Sequence, residues 1–115
     1  MGVPSLTYAT MTASPSFLRH VVIFAFKPEA TTGEVDTVIQ GFGTLKAVIP
    51  GIVGYEWGTN GSPEGLNDGF THCFTLTFAS DADRDAYLVH PAHQAFVAVL
   101  LPTLARSLVL DYWTQ

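Results

Sequence analysis

The run Leu18 to Phe26, LRHVVIFAF, is apolar on both of its faces, and no other stretch limits the fold as much. Alternation puts Leu18, His20, Val22, Phe24 and Phe26 on one side of a strand, and Arg19, Val21, Ile23 and Ala25 on the other. A strand like this needs cover on both sides. Lys27-Pro28 ends the run.

The remaining elements follow from changes of period. Val35, Val38, Ile39, Phe42, Leu45 and Val48 recur at three and four residues, which predicts a helix over 32–49. Thr31 or Thr32 can cap it, Glu34 suits its first turn, and Pro50-Gly51 ends it. A second strand is predicted over 52–59. The stretch 60–69, rich in Gly and Asn, is a loop. A third strand over 70–78 puts Phe70, His72, Phe74, Leu76 and Phe78 on one face and Thr71, Cys73, Thr75 and Thr77 on the other. Ser80 caps a helix that runs to about His90. Pro91 starts a second piece reaching about Arg106, distorted at Pro102. A last strand is predicted over 107–113.

The order β-α-β-β-α-β is the split-βαβ, ferredoxin-like arrangement: an α+β domain with a four-stranded antiparallel sheet and helices on one face. The opposite face, with Val21, Ile23, Ala25 and the row through Cys73, is too apolar to stay wet. The expectation is that two such sheets face each other and close into a dimeric α+β barrel. Residues 1–16, rich in Ser, Thr and Pro, read as a flexible N-terminal arm, leaving 17–115 as the domain.

Composition narrows the function. Only 13% of the 115 residues are charged while 48% are hydrophobic, a balance that fits a homodimer. With five Lys and Arg in all and a net charge of −5, there is no basic patch for nucleic acid. No apolar run approaches membrane-spanning length, and the first residues lack the pattern of a secretory signal. These features, with the lone Cys73, fit a cytoplasmic protein without a disulfide.

Four histidines and one tyrosine carry the chemistry that is legible here: His20, His72, His90, His93 and Tyr87. His20 and His72 lie on the strand faces that should meet the helices, where each is either a hydrogen-bonded core residue or a pocket residue. His90 and His93 flank a helix start, about 4.5 Å apart along the axis. A helix N-terminus disfavours the imidazolium, leaving a neutral base near neutral pH. Tyr87 can donate to an oxyanion or simply pack in the core. A metal site would have to rest on His90 and His93 across Pro91, a weak pattern, and Asp85 and Asp111 have no spacing that ties them to the histidines. No Walker loop, nucleophile elbow or dinucleotide fingerprint is present, so no cofactor is expected.

The segment Tyr87-Leu-Val-His90-Pro91-Ala-His93 resembles the stress-responsive A/B barrel (Dabb) family of the dimeric α+β barrel superfamily. The segments His20–Lys27, Ile49-Pro50-Gly51, Gly58-x-Asn60, Gly69-Phe-Thr-His72 and Leu110-Asp111-Tyr112 extend the resemblance over about residues 18–113. It implies a homodimer. Among the enzymes of the family, the resemblance to the plant polyketide cyclases implies a metal-free lyase that closes a poly-β-keto chain by an intramolecular aldol condensation. His93 would then be the general base and Tyr87 its polar partner, with His20 and His72 at substrate-binding positions. Phe42 stands where the cyclase has a pocket tyrosine, a departure that bears on substrate and ring pattern. Phe24 and Phe74, on the apolar strand faces, would help hold an apolar or polyketide-like molecule. Two other readings stay open: a non-catalytic small-molecule-binding stress homodimer, and a monooxygenase of the same superfamily.

Overall fold

The structure is a computed structural model that describes residues 15–115, so most of the expected arm, 1–16, lies outside the described residues. The chain runs β1 (Leu18–Phe26), α1 (Thr32–Val48), β2 (Ile52–Thr59), β3 (His72–Phe78), α2 (Asp81–Leu88), α3 (Pro91–Leu100), a 3₁₀ turn (Leu101–Thr103) and β4 (Leu104–Trp113). The β-α-β-β-α-β order is as expected, with the second helical region in two pieces.

The sheet has four strands in the order β2-β3-β1-β4, and every neighbouring pair is antiparallel. This corrects the expected barrel. The ladder ends at β2 on one side and β4 on the other, and the two edges do not pair. Four strands make too narrow a sheet to curl onto itself, so it stays open.

Register fixes which residues meet. His20 on β1 lies opposite Leu76 on β3 and Asp111 on β4, while Phe24 lies opposite His72. His20 and His72 therefore share a face but stand four residues apart along it, about 13 Å.

The helices cover the face that carries His20, Val22 and Phe24. Phe24, Phe42, Phe74, Phe78, Leu76, Val38 and Tyr87 are all but fully buried there. At the centre Phe42 stacks on Phe74, with ring centroids 4.6 Å apart, and meets Phe96 at 4.7 Å. Among the described residues no helix covers the opposite face. Leu108 and Leu110 are 50% and 61% exposed, beside exposed Tyr112.

Local chemistry explains the element ends. Thr31 caps α1 in a capping box: its Oγ1 accepts from the Glu34 amide at 3.1 Å, and Glu34 Oε1 accepts from the Thr31 amide at 2.8 Å. Those bonds hold the Glu34 carboxyl below its ordinary value, the one from the Thr31 backbone most of all. Gly51 reverses the chain after α1 at φ 98°, a conformation that favours glycine. The predicted helix to Arg106 is cut short. Pro102 has no amide hydrogen, so α3 tightens into the 3₁₀ turn, and β4 starts at Leu104 rather than Ser107. No described helix is long and apolar enough to cross a membrane.

Candidate functional site

A cavity of about 260 Å³ lies between the helix-facing side of the sheet and the three helices. The strand β1 lends His20, Val22 and Phe24, α1 lends Phe42, and α2 and α3 lend Tyr87, His93, Phe96 and Leu100. Among the described residues its polar groups are His20, Tyr87, His93 and Ser107, and no Lys, Arg, Asp or Glu lines it. The cavity is just below the roughly 300 Å³ at which small-molecule pockets commonly begin.

The His90-Pro91 pair brings the polar groups together. Pro91 takes the first position of α3, where its missing amide hydrogen costs nothing. His90 caps the same helix, its Nδ1 accepting from the Ala92 amide at 3.0 Å. The chain turns between Leu88 and Pro91, so Tyr87 ends one helix and His93 opens the next. Their rings meet with centroids 4.4 Å apart. His20 reaches Tyr87 from the sheet at 5.7 Å, edge to face.

Hydrogen bonding fixes the tautomer of both histidines. His93 Nδ1 lies 3.1 Å from the Leu88 carbonyl, and His20 Nδ1 lies 2.7 Å from Asp111 Oδ1. A carbonyl and a carboxylate only accept, so each Nδ1 carries the proton. Each Nε2 is left as the reactive nitrogen, without a hydrogen-bond partner among the described residues. Burial lowers the proton affinity of His93, nearby His20 lowers it further, and the Leu88 carbonyl pulls the other way. His93 is thus held as a neutral base at neutral pH. Burial also raises the Tyr87 phenol well above its ordinary value, helped by Tyr55, so Tyr87 stays a donor.

Asp111 and Arg84 complete the arrangement. Arg84 NH1 donates to Asp111 Oδ2 at 3.0 Å, while Asp85 Oδ1 accepts from the same guanidinium at 3.0 Å. Asp111 had no legible tie to the histidines in the sequence. The tie comes from the β1–β4 register, which places it beside His20, and no sequence spacing encodes that register.

The structure brings His20, Phe24, Phe42, Tyr87 and His93 to one cavity. Phe74 is fully buried behind Phe42 and does not line it. His72 sits at the far end of the same sheet face, with Phe26 edge-on at 5.0 Å and Trp57 parallel at 6.3 Å. Its Nδ1 shares a 2.8 Å hydrogen bond with Thr71 Oγ1, and burial lowers its proton affinity. There it borders a second, open cleft of about 700 Å³, together with Cys73 and the 66–71 loop. That cleft is larger, but among the described residues no second histidine or tyrosine lines it, so the smaller cavity has the better chemistry. Among the described residues no group of three or more His, Cys, Asp and Glu side chains is placed to hold a metal ion.

Fold and cavity together define a class: a ferredoxin-like α+β protein with two histidines and a tyrosine in an apolar chamber under its helices. The chain belongs to the stress responsive A/B barrel domain (Dabb) family, which it matches over residues 18–114. It is 34% identical over 95 residues to the stress-response A/B barrel domain-containing protein HS1 of Arabidopsis thaliana, covering 83% of this chain and 87% of that protein. It is 27% identical over 95 residues to olivetolic acid cyclase of Cannabis sativa, covering 83% of this chain and 94% of the cyclase. The solved hydroxynitrile lyase of Passiflora edulis superposes with a TM-score of 0.82 at 30% identity, covering 89% of this chain and 96% of the lyase.

Proposed function

We propose that this chain is a lyase of the cyclase type, which makes or breaks a carbon–carbon bond beside a carbonyl by proton transfer alone. One observation carries the reading: Tyr87 stands between two histidines whose Nδ1–H groups are already committed, in a cavity that no charged side chain lines among the described residues. In the direction of synthesis, His93 Nε2 takes a proton from the carbon between two carbonyls of a polyketide-like chain. The Tyr87 hydroxyl donates to the enolate oxygen that results, and the apolar wall keeps water from competing. The carbanion adds to a ketone further along the chain, and the alkoxide so formed recovers the proton from His93. His20 offers a second acceptor for a substrate hydroxyl. Phe24 and Phe42 shape the space for the tail.

The same groups run in reverse serve a lyase that releases a small leaving group, and the modest cavity volume favours small substrates for that direction. The family names of the relatives include both a cyclase and a hydroxynitrile lyase, which supports a chamber suited to this chemistry. The chain functions as a homodimer in this reading, a second copy covering the exposed row through Leu108, Leu110 and Tyr112.

The test is a side-by-side incubation of wild type and His93→Ala with linear poly-β-keto thioesters generated in situ and with small hydroxynitriles. Products are resolved by mass spectrometry. A cyclised or cleaved product made by wild type and reduced 100-fold or more in a folded His93→Ala, within the usual range for a lost general base, supports the reading. Identical products from wild type, variant and buffer on every substrate refute it and leave a small-molecule-binding homodimer.

A further inference from the structure

The cavity histidines differ in what backs them. His93 leans on a neutral carbonyl, while His20 leans on a carboxylate, at 2.7 Å and only 5% exposed. A carboxylate so close to a buried imidazole ordinarily draws a second proton onto the ring. A doubly protonated ring has no lone pair left to accept with. The far oxygen of that carboxylate, however, is held by Arg84, whose NH1 donates to Asp111 Oδ2 at 3.0 Å. The guanidinium shares the negative charge that would otherwise fall to His20. Asp85, on the other side of Arg84, ties the guanidinium in place.

We propose that Arg84 is a positioning residue: acting through Asp111, it holds His20 as a neutral imidazole whose Nε2 faces the cavity as an acceptor. The inference rests on reading the cavity as an acid–base site. The ionisable groups around His20 are few. The strand β4 presents Asp111, α2 presents Tyr87 and, through Asp111, Arg84, and α3 presents His93. The strand β3 presents only the apolar Leu76 and Phe78 to the ring. Tyr87 is neutral, and a positive His20 would sit beside His93, which must also stay neutral to act as a base. Arg84 therefore serves both histidines.

Its place in the fold adds a mechanical argument. Arg84 lies three residues before Tyr87, one turn along α2, so both project from neighbouring positions on that helix. The Arg84–Asp111 pair pins this turn of α2 to the edge strand β4. The bond that sets the His20 proton also sets the height of the Tyr87 hydroxyl over the cavity.

The test compares wild type, Arg84→Gln and Arg84→Lys by imidazole ¹⁵N NMR across pH. It needs no substrate, so its outcome is independent of whether the catalytic reading holds. In Arg84→Gln the pH at which His20 gains its second proton is expected to rise, by about half a unit, because the Asp111 carboxylate then faces the ring without the cation that Arg84 places on its far oxygen. Arg84→Lys should recover at least half of that shift. A purely structural ion pair would move the melting temperature and leave the His20 titration where it was. Unchanged titration in a folded Arg84→Gln, or a wild-type His20 whose proton is on Nε2, overturns the proposal. Where a substrate turns over, the acidic limb of its pH–rate profile should move upward with the NMR midpoint. If the NMR shift is seen and no substrate turns over, the positioning role stands and the catalytic reading falls.

Discussion

Phe42 and Phe74 form one stacked pair, yet removing their rings should not cost the same. Both are essentially unexposed, and their centroids are 4.6 Å apart. A buried Phe→Ala change costs about 3–5 kcal/mol, the lost transfer energy plus a term that grows with the void left behind. Phe74 is enclosed on every side by Phe24, Phe42 and Trp57 and by the sheet beneath it. Its whole ring volume becomes new void, which puts Phe74→Ala near the upper end, about 5 kcal/mol. Phe42 already borders the 260 Å³ cavity, so part of its surface has no packing partner to lose. Phe42→Ala belongs near the lower end, about 3 kcal/mol, and a gap of about 1–2 kcal/mol should separate the two variants. Against a total stability of about 5–15 kcal/mol for a domain, both variants are measurable and Phe74→Ala approaches unfolding. Urea unfolding at one fixed protein concentration reads the difference, with equal slopes as the check that only stability has changed. A Phe42→Ala loss equal to or above that of Phe74→Ala would mean that Phe42 closes no cavity, and the site would have to be redrawn.

Two further predictions test the energetics around the site. His93 and His72 bind a proton less readily when folded than when unfolded, so between about pH 6.5 and lower pH the unfolded chain holds more protons and stability falls as pH falls. Urea midpoints at pH 7.5, 6.5 and 5.5 should descend in that order, less steeply in His93→Gln, and a midpoint that rises toward acid would contradict the assigned burial. Gly43 lies inside α1 with room for a methyl, its nearest neighbour being the Tyr55 ring at 3.9 Å, so Gly43→Ala should stabilise by about 0.5–1 kcal/mol. Gly51→Ala should instead destabilise, because φ is 98° there and an added Cβ would meet Asp83 at 3.1 Å, and a calorimetric melt that ranks the two the other way refutes the reasoning.

The elements were legible wherever one local rule dominates. The period of Val35 to Val48, the caps at Thr31 and Ser80, and the His90-Pro91 break are all written within a few residues of where they act. The β4 start was not, because propensity through Leu101 to Arg106 suits a helix and only the missing Pro102 amide hydrogen decides otherwise. Alternation disclosed an apolar outer face but not what covers it, and the barrel inferred from that face does not form in an open four-stranded sheet. For the site, Tyr87, His93 and His20 stood out as polar groups on apolar elements. Asp111 and Arg84 did not, since exposed charges are common on strand edges and helices, and only the strand register shows that these two share a histidine. His72 shares the face of His20, and the same register sets it about 13 Å away.

The His20–Asp111 contact spans 91 positions of the chain. Strand β1 is the earliest described element and β4 the last, yet they lie side by side in the sheet. Closing so long a loop costs entropy that no local contact returns, which makes this pairing among the slow events of folding. A nascent chain can assemble α1 against β1, and even bring Tyr87 to His93, while His20 still has no carboxylate behind it. The oriented His20, like Ser107 on β4 itself, therefore exists only after the final strand has been synthesised and docked.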